Sequence, residues 1–187
     1  GSDNNYPTST VAQWLEDTFL PTLDSDMQSF VKEVKIPYKG SSGGVKSGSN
    51  GFQCKAFLLS GMEIGIPTSN GGDYPIDGVK LSYFQSGNSS SANNIRIAQY
   101  DGSNASWLTR SPSLDIPTRV VYVQATGNYF YEIPNGVGYH YRPAFVLPTD
   151  LIVDDNNILA ATYPTPPTSI TVPTSSIPTG SSIAVSW

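Results

Sequence analysis

Nucleophilic catalysis by serine or cysteine needs a neighbouring base, and this chain offers a single histidine, His140, in the run G-Y-H-Y-R-P-A-F. No triad spacing surrounds it, so it reads as a partly packed residue on a tyrosine-rich strand or as a ligand contact. The single cysteine, Cys54, lies far from His140 and leaves neither a disulfide nor a thiolate metal cluster to expect. Glycoside hydrolysis would need two carboxylates from Asp73, Asp77, Asp101, Asp115 and Glu132, and nothing in their spacing selects a pair. Asp154-Asp155-Asn156-Asn157 carries oxygen ligands but lacks the glycine and distal glutamate of a calcium loop, so it reads as a polar hairpin turn. Asn88-Ser89-Ser90 and Asn104-Ala105-Ser106 match the glycosylation acceptor pattern and read as loops. The expectation is a non-catalytic protein with no cofactor and no metal.

The aromatic residues carry more information. Tyr122, Tyr129, Phe130, Tyr131, Tyr139 and Tyr141 fall within twenty residues and include five of the eleven tyrosines. Tyrosine combines large contact area, low entropy cost and a hydroxyl, which suits a recognition surface built with Ser, Gly and Asn. On a strand, Tyr129 and Tyr131 share one face and Phe130 the other, and Tyr139 and Tyr141 face opposite His140. Such an array either fills a sheet core or presents one aromatic face to a ligand.

The elements that would position these residues follow from composition and periodicity. The chain has 187 residues with 38% hydrophobic but only 13% charged residues, so its surface must be clothed in Ser, Thr, Asn, Gly and Tyr. A net charge of -5 disfavours nucleic acid and anionic membranes as partners. No apolar run approaches a membrane span, and no secretory signal opens the chain. Starting at Gly1, the chain reads as processed or as part of something longer.

Val11, Trp14, Leu15 and Phe19 lie at helical spacing behind Ser9 or Thr10, which predicts a helix over Thr10 to Leu20. Met27, Phe30, Val31 and Val34 predict a second behind Asp24 or Ser25. Lys35 to Tyr38 reads as a short strand, Lys39 to Gly51 as a Gly/Ser loop, and Phe52 to Leu59 as a short buried element of mixed character. Asp77 to Phe84 reads as a third helix and Gln85 to Asn94 as a loop. From Ile95 the period becomes two, and R-V-V-Y-V-Q-A with N-Y-F-Y-E-I forms the strongest hairpin signal, turning at Ala125 to Asn128. His140 to Leu147 is a strand candidate in which Pro143 must sit at an edge or a strand start, and Leu151 to Ala161 reads as a hairpin. No charged residue follows Asn156, and five prolines fall between Pro164 and Pro178. The expected organisation is a domain over 1–162, a Pro/Thr linker over 163–168 and, over 169–187, the first strands of an immunoglobulin- or fibronectin-like domain that needs about 100 residues to complete.

Two motifs carry a resemblance. W-L-T-R-S-P (Trp107 to Pro112) and Y-R-P-A-F (Tyr141 to Phe145) resemble the W-L-R-S-P and G-x-R-P-A signatures of an uncharacterised domain family common in gut Firmicutes and their phages. The resemblance runs through D-T-F-L, V-K-I-P-Y, F-L-L-S-G-M-E-I-G and Y-P-I-D-G and covers roughly residues 5 to 155. Ser106 precedes Trp107 where the family has a second tryptophan, Thr109 is inserted, and Tyr141 stands directly before Arg142. The resemblance implies an α+β, C-type-lectin-like fold, with helices in the N-terminal half and antiparallel sheet in the C-terminal half. That fold also occurs in formylglycine-generating enzymes, whose cysteines this chain lacks, and in the variable receptor-binding proteins of diversity-generating retroelements. By this resemblance Trp107, Arg110, Arg142 and Pro143 would be scaffold, whereas Asp115, Tyr122, Asn128, Tyr129, Tyr131, Tyr139 and His140 would face a ligand.

The function expected from these readings is host recognition by a phage tail or virion-surface protein. Its partners would be a bacterial surface polysaccharide or protein and other virion subunits, as an oligomer within a larger assembly at the virion surface or outside the cell. The alternative is a structural or decoration module whose aromatic face is buried against another subunit, and the third is an enzyme acting on cell-wall glycans.

Overall fold

The computed structural model describes residues 4–40, 42–67, 74–116, 118–134, 138–149, 151–153 and 159–160. The chain divides into two units, residues 1–148 and 149–187. In the first, Ser9 caps helix α1 (Thr10–Trp14) by accepting the Ala12 N–H at 3.2 Å. The helical path continues through a π turn, Leu15–Phe19, and a 3-10 turn, Leu20–Thr22, so the expected helix over 10–20 is present with a loosened second half. Asp24 caps α2 (Ser25–Phe30) through the Asp26 N–H.

Strands β1 (Val34–Ile36) and β4 (Phe52–Cys54) pair antiparallel, and β2 (Tyr38–Lys39) and β3 (Val45–Lys46) form a small pair inside the expected loop. β5 (Ala56–Leu58) is wholly buried, which explains its lack of alternation in the sequence. Two expectations fail in the middle of the chain. Residues 77–84 are turns and bends, and the third helix lies later, as α3 (Ser90–Arg96). Its signal is the Ser89 cap, whose hydroxyl accepts the Ala92 N–H at 3.2 Å, rather than an apolar stripe. Helices and strands therefore intermingle along the first unit, and the division into a helical half and a sheet half does not hold.

β6 (Ala98–Tyr100) and β7 (Ser103–Ala105) form a hairpin around Asp101 and Gly102, both at positive φ, the pattern of a type I′ turn. The main sheet combines β8 (Trp107–Pro112), β9 (Val120–Val123), β10 (Tyr129–Glu132) and β11 (His140–Tyr141) in the order β10-β9-β8-β11. β11 runs parallel to β8 and the other neighbours are antiparallel. The β9–β10 hairpin turns where expected: Gly127, at φ +79°, donates its N–H to the Gln124 carbonyl at 2.8 Å. Pro143 opens β12 (Pro143–Phe145), which pairs with β5, so it stands at a strand start as its missing N–H requires.

Leu15, Leu58, Ile64, Ile66, Trp107, Val121 and Val123 form the heart of the core. In the second unit, β13 (Ile152–Val153) and β14 (Leu159–Ala160) make the hairpin expected over 151–161. Its turn, Asp154 to Asn157, lies outside the described residues, as do the linker over 163–168, the strands expected over 169–187, and Asp73.

Candidate functional site

Sheet alternation sorts the aromatic cluster into two faces. Val121 and Val123, both fully buried, point into the core, and Tyr129 lies opposite Val123 and Tyr131 opposite Val121. Tyr129 and Tyr131 therefore face inward. Their rings sit 6.1 and 6.2 Å from buried Tyr74, the Tyr129 hydroxyl accepts from Asn88 at 3.2 Å, and the Arg96 guanidinium lies 6.0 Å from the Tyr129 ring. Phe130 lies opposite Tyr122 on the outer face and is 59% exposed.

Tyr139 meets Tyr122 edge-on at 4.9 Å. Partial burial, then the charge of neighbouring Glu132, pushes the Tyr139 phenol above its ordinary pKa. Tyr141, 43% exposed, packs against Trp14 of α1 at 5.8 Å. The outer face thus carries Tyr122, Phe130, Tyr139, Tyr141 and Trp14 in one aromatic strip, with Glu132 beside it. It is a surface suited to stacking and to hydrogen bonds from phenol hydroxyls.

The seven candidate residues do not converge on one site. Tyr122 and Tyr139 are together on the outer face, whereas Tyr129 and Tyr131 pack inward. Asn128, exposed at the hairpin turn, accepts the Tyr129 N–H through Oδ1 at 2.9 Å. Asp115 is exposed in the connection between β8 and β9. His140 points to the opposite side from Tyr139 and Tyr141, stacks on Tyr100 at 4.4 Å, and meets the Ser106 carbonyl through Nδ1 at 3.3 Å. Phe130, Tyr141 and Trp14, outside the expected set, belong to the strip. For Phe130 the signal was its strict alternation with Tyr129 and Tyr131.

The most strongly built polar cluster is internal. Arg110, 1% exposed, forms a bidentate ion pair with Glu63, with Nη1 to Oε2 at 2.6 Å, and also donates to the carbonyls of Leu58, Pro37 and Asp77. Ser60 and Glu63 exchange backbone N–H bonds through their side chains, an S-x-x-E box that fixes the carboxylate. Asp77 accepts from the Ser111 hydroxyl at 2.8 Å, and burial pushes its carboxyl up to about 6 against the opposing pull of Arg110 and Ser111. With no exposed surface, Asp77 braces the fold rather than meeting a substrate. Among the described residues no group of His, Cys, Asp and Glu is placed to hold a metal ion, and no helix is long and apolar enough to cross a membrane.

The buried motif W-L-T-R-S-P, with Arg110 at its centre, and Y-R-P-A-F, paired to β5, lie inside a longer match: residues 1–149 fit the model of the family described as Domain of unknown function (DUF6273). The chain belongs to that family. No curated protein and no solved structure matches it. In this DUF6273 domain the motif residues Trp107, Arg110 and Pro112 are almost wholly buried, so W-L-T-R-S-P marks the scaffold, while of the aromatic strip only Tyr141, the first residue of Y-R-P-A-F, falls within either motif.

Proposed function

We propose that this DUF6273 domain is a non-catalytic recognition module, carried by a phage tail or virion-surface protein on a C-type-lectin-like scaffold and binding a bacterial cell-surface glycan or protein. The observation that carries the reading is the outer aromatic strip: Phe130 is 59% exposed and Tyr141 43%, beside the edge-on Tyr122–Tyr139 pair. Aromatic rings held on a sheet offer sugar faces or protein side chains a preorganised platform, and phenol hydroxyls with Glu132 supply directional bonds. Single-site affinity for a glycan on so open a face would be weak, and many copies on one particle would raise it.

The test displays the chain multivalently and measures binding to intact host cells and to a glycan array, alongside a Tyr122→Ala/Phe130→Ala/Tyr139→Ala variant. Saturable binding that the variant loses supports the reading, and absence of binding by the multivalent native chain refutes it. A second reading, an assembly module, is favoured by a different surface: Ile76, Val79, Leu81 and Tyr83 are 65%, 82%, 43% and 66% exposed within one segment. Protection of these residues from footprinting in the assembled particle, with the tyrosine strip left accessible, would assign that segment to a subunit contact and the strip to recognition.

A further inference from the structure

Between the β6–β7 hairpin and the edge strand β11 opens a cleft of about 470 Å³, within the roughly 300–1,000 Å³ range of small-ligand sites. One wall is the Tyr100–His140 stack, with ring centres 4.4 Å apart and Tyr100 64% exposed. The His140 backbone N–H and Nδ1 both meet the Ser106 carbonyl, at 2.9 and 3.3 Å, so the ring is held and its Nε2 is left to accept a hydroxyl. The other wall carries Trp107 and Arg142, whose guanidinium lies 5.3 Å from the Trp107 ring and 5.7 Å from Phe84.

Arg142 Nη1 is buried and has no hydrogen-bond partner among the described residues, and no carboxylate side chain lines the cleft. Arg96 and Arg110 differ in this respect, since each bonds a set of carbonyls or a carboxylate. A buried donor without a partner costs about 1–3 kcal/mol, and a guanidinium fork matches a carboxylate in geometry and charge. A cation-bearing cleft in a chain of net charge -5 is a local exception to the general field.

We propose that this cleft binds a six-membered ring bearing a carboxylate, an acidic monosaccharide unit, with the ring against Tyr100 and His140 and the carboxylate at Arg142. The cleft shares Tyr141 with the outer strip, but His140 and Trp107 alternate with the outer-face tyrosines and lie on the other side of the sheet.

The experiment titrates the full chain with D-galacturonate, with D-galactose as the uncharged ring and with acetate as the anion without a ring, following backbone amide resonances. Galacturonate is expected to shift residues 98–105 and 140–142 saturably and to bind about tenfold more tightly than either control. Tyr100→Ala is expected to weaken it about fivefold, and Arg142→Gln to abolish the preference for galacturonate over galactose. If Arg142→Gln fails to fold, Tyr100→Ala and the three probes on the native chain decide. Equal affinity for galactose, shifts centred elsewhere, an unchanged affinity in Tyr100→Ala, or no saturable shift at tens of millimolar would each overturn the site.

Discussion

Asp77 gives the interior a titration that a denaturation experiment can read. Its carboxyl is fully buried, and burial raises its pKa from 3.8 to about 6 despite Arg110 and the Ser111 hydroxyl. Between those values the folded chain holds a proton that the unfolded chain has released. Stability therefore falls as pH rises from about 4 to about 6, and the penalty persists above that window. A shift of about 2 units corresponds to about 3 kcal/mol. Asp77→Asn removes the titration and keeps an oxygen to accept from Ser111. The comparison is chemical denaturation of both proteins at pH 4, 5, 6 and 7, followed by tryptophan fluorescence. Subtracting the variant cancels the other titrating groups, and the native chain should lose about 3 kcal/mol relative to Asp77→Asn across the series. Two curves that move in parallel with pH, or a native chain that gains stability over this range, would refute the account of a carboxyl buried at a net cost.

Three further outcomes follow from the same interior. A Cβ at Gly127 would stand 1.9 Å from the Asn93 carbonyl oxygen at φ +79°, so Gly127→Ala should cost about 3 kcal/mol or more by thermal melting, whereas Gly138→Ala, at φ +91° with open space around it, should cost only the left-handed strain of about 1–2 kcal/mol. Glu63→Gln leaves Arg110 buried without its counter-ion and should cost about 3–5 kcal/mol, with a Glu63→Leu/Arg110→Met double variant recovering much of that loss in the same denaturation assay. Cys54 is buried and its thiol is pushed up to about 12, first by burial and then by Glu16, so thiol reagents should label it only on unfolding, and rapid labelling of the native chain would contradict that environment.

Much of the fold could be read from local chemistry. Ser9 and Asp24 cap as their types suggest, Gly127 turns the tyrosine hairpin, and Pro143 begins its strand. The failures have physical reasons too. Residues 77–84 carry apolar residues near helical spacing, but Ile76, Val79 and Leu81 are exposed and the segment is tied by Asp77 to Ser111 and by the Leu81 N–H to the Glu63 carbonyl, long-range bonds that no local pattern records. α3 was hidden because an S-S-A-N-N-I-R helix has almost no apolar face, and its buried anchor is Arg96, which donates to the carbonyls of Ile64, Gly65 and Gly87. Asp101-Gly102 is a strong hairpin signal, and reading it would have placed Tyr100 beside β7. At the candidate site, alternation correctly separated Tyr129 and Tyr131 from Phe130. It could not say which face was the core, because both faces of that strand are aromatic.

The distribution of charge ties scaffold and surface together. Three of the four arginines are spent inward: Arg96 holds the loops at 64–65 and 87 together, Arg110 joins β8 to Glu63 and the 77 loop, and Arg142 lies over Trp107 and Phe84. Arg96 and Arg110 each bond carbonyls from several irregular segments at once, and Arg142 stacks between a strand residue and Phe84, so loops are fixed to the sheet through guanidinium groups. On the outer face Leu108 and Val120 belong to the core and Tyr122 and Tyr139 pack against it, which leaves Phe130 and Tyr141 as the exposed rings of that face. Preorganised aromatic rings lose little entropy on contact, and a surface low in charge pays a small desolvation cost when a neutral partner covers it. Arg142 departs from its two counterparts in keeping a buried donor, Nη1, without a partner among the described residues, and that difference is what the proposed carboxylate site rests on.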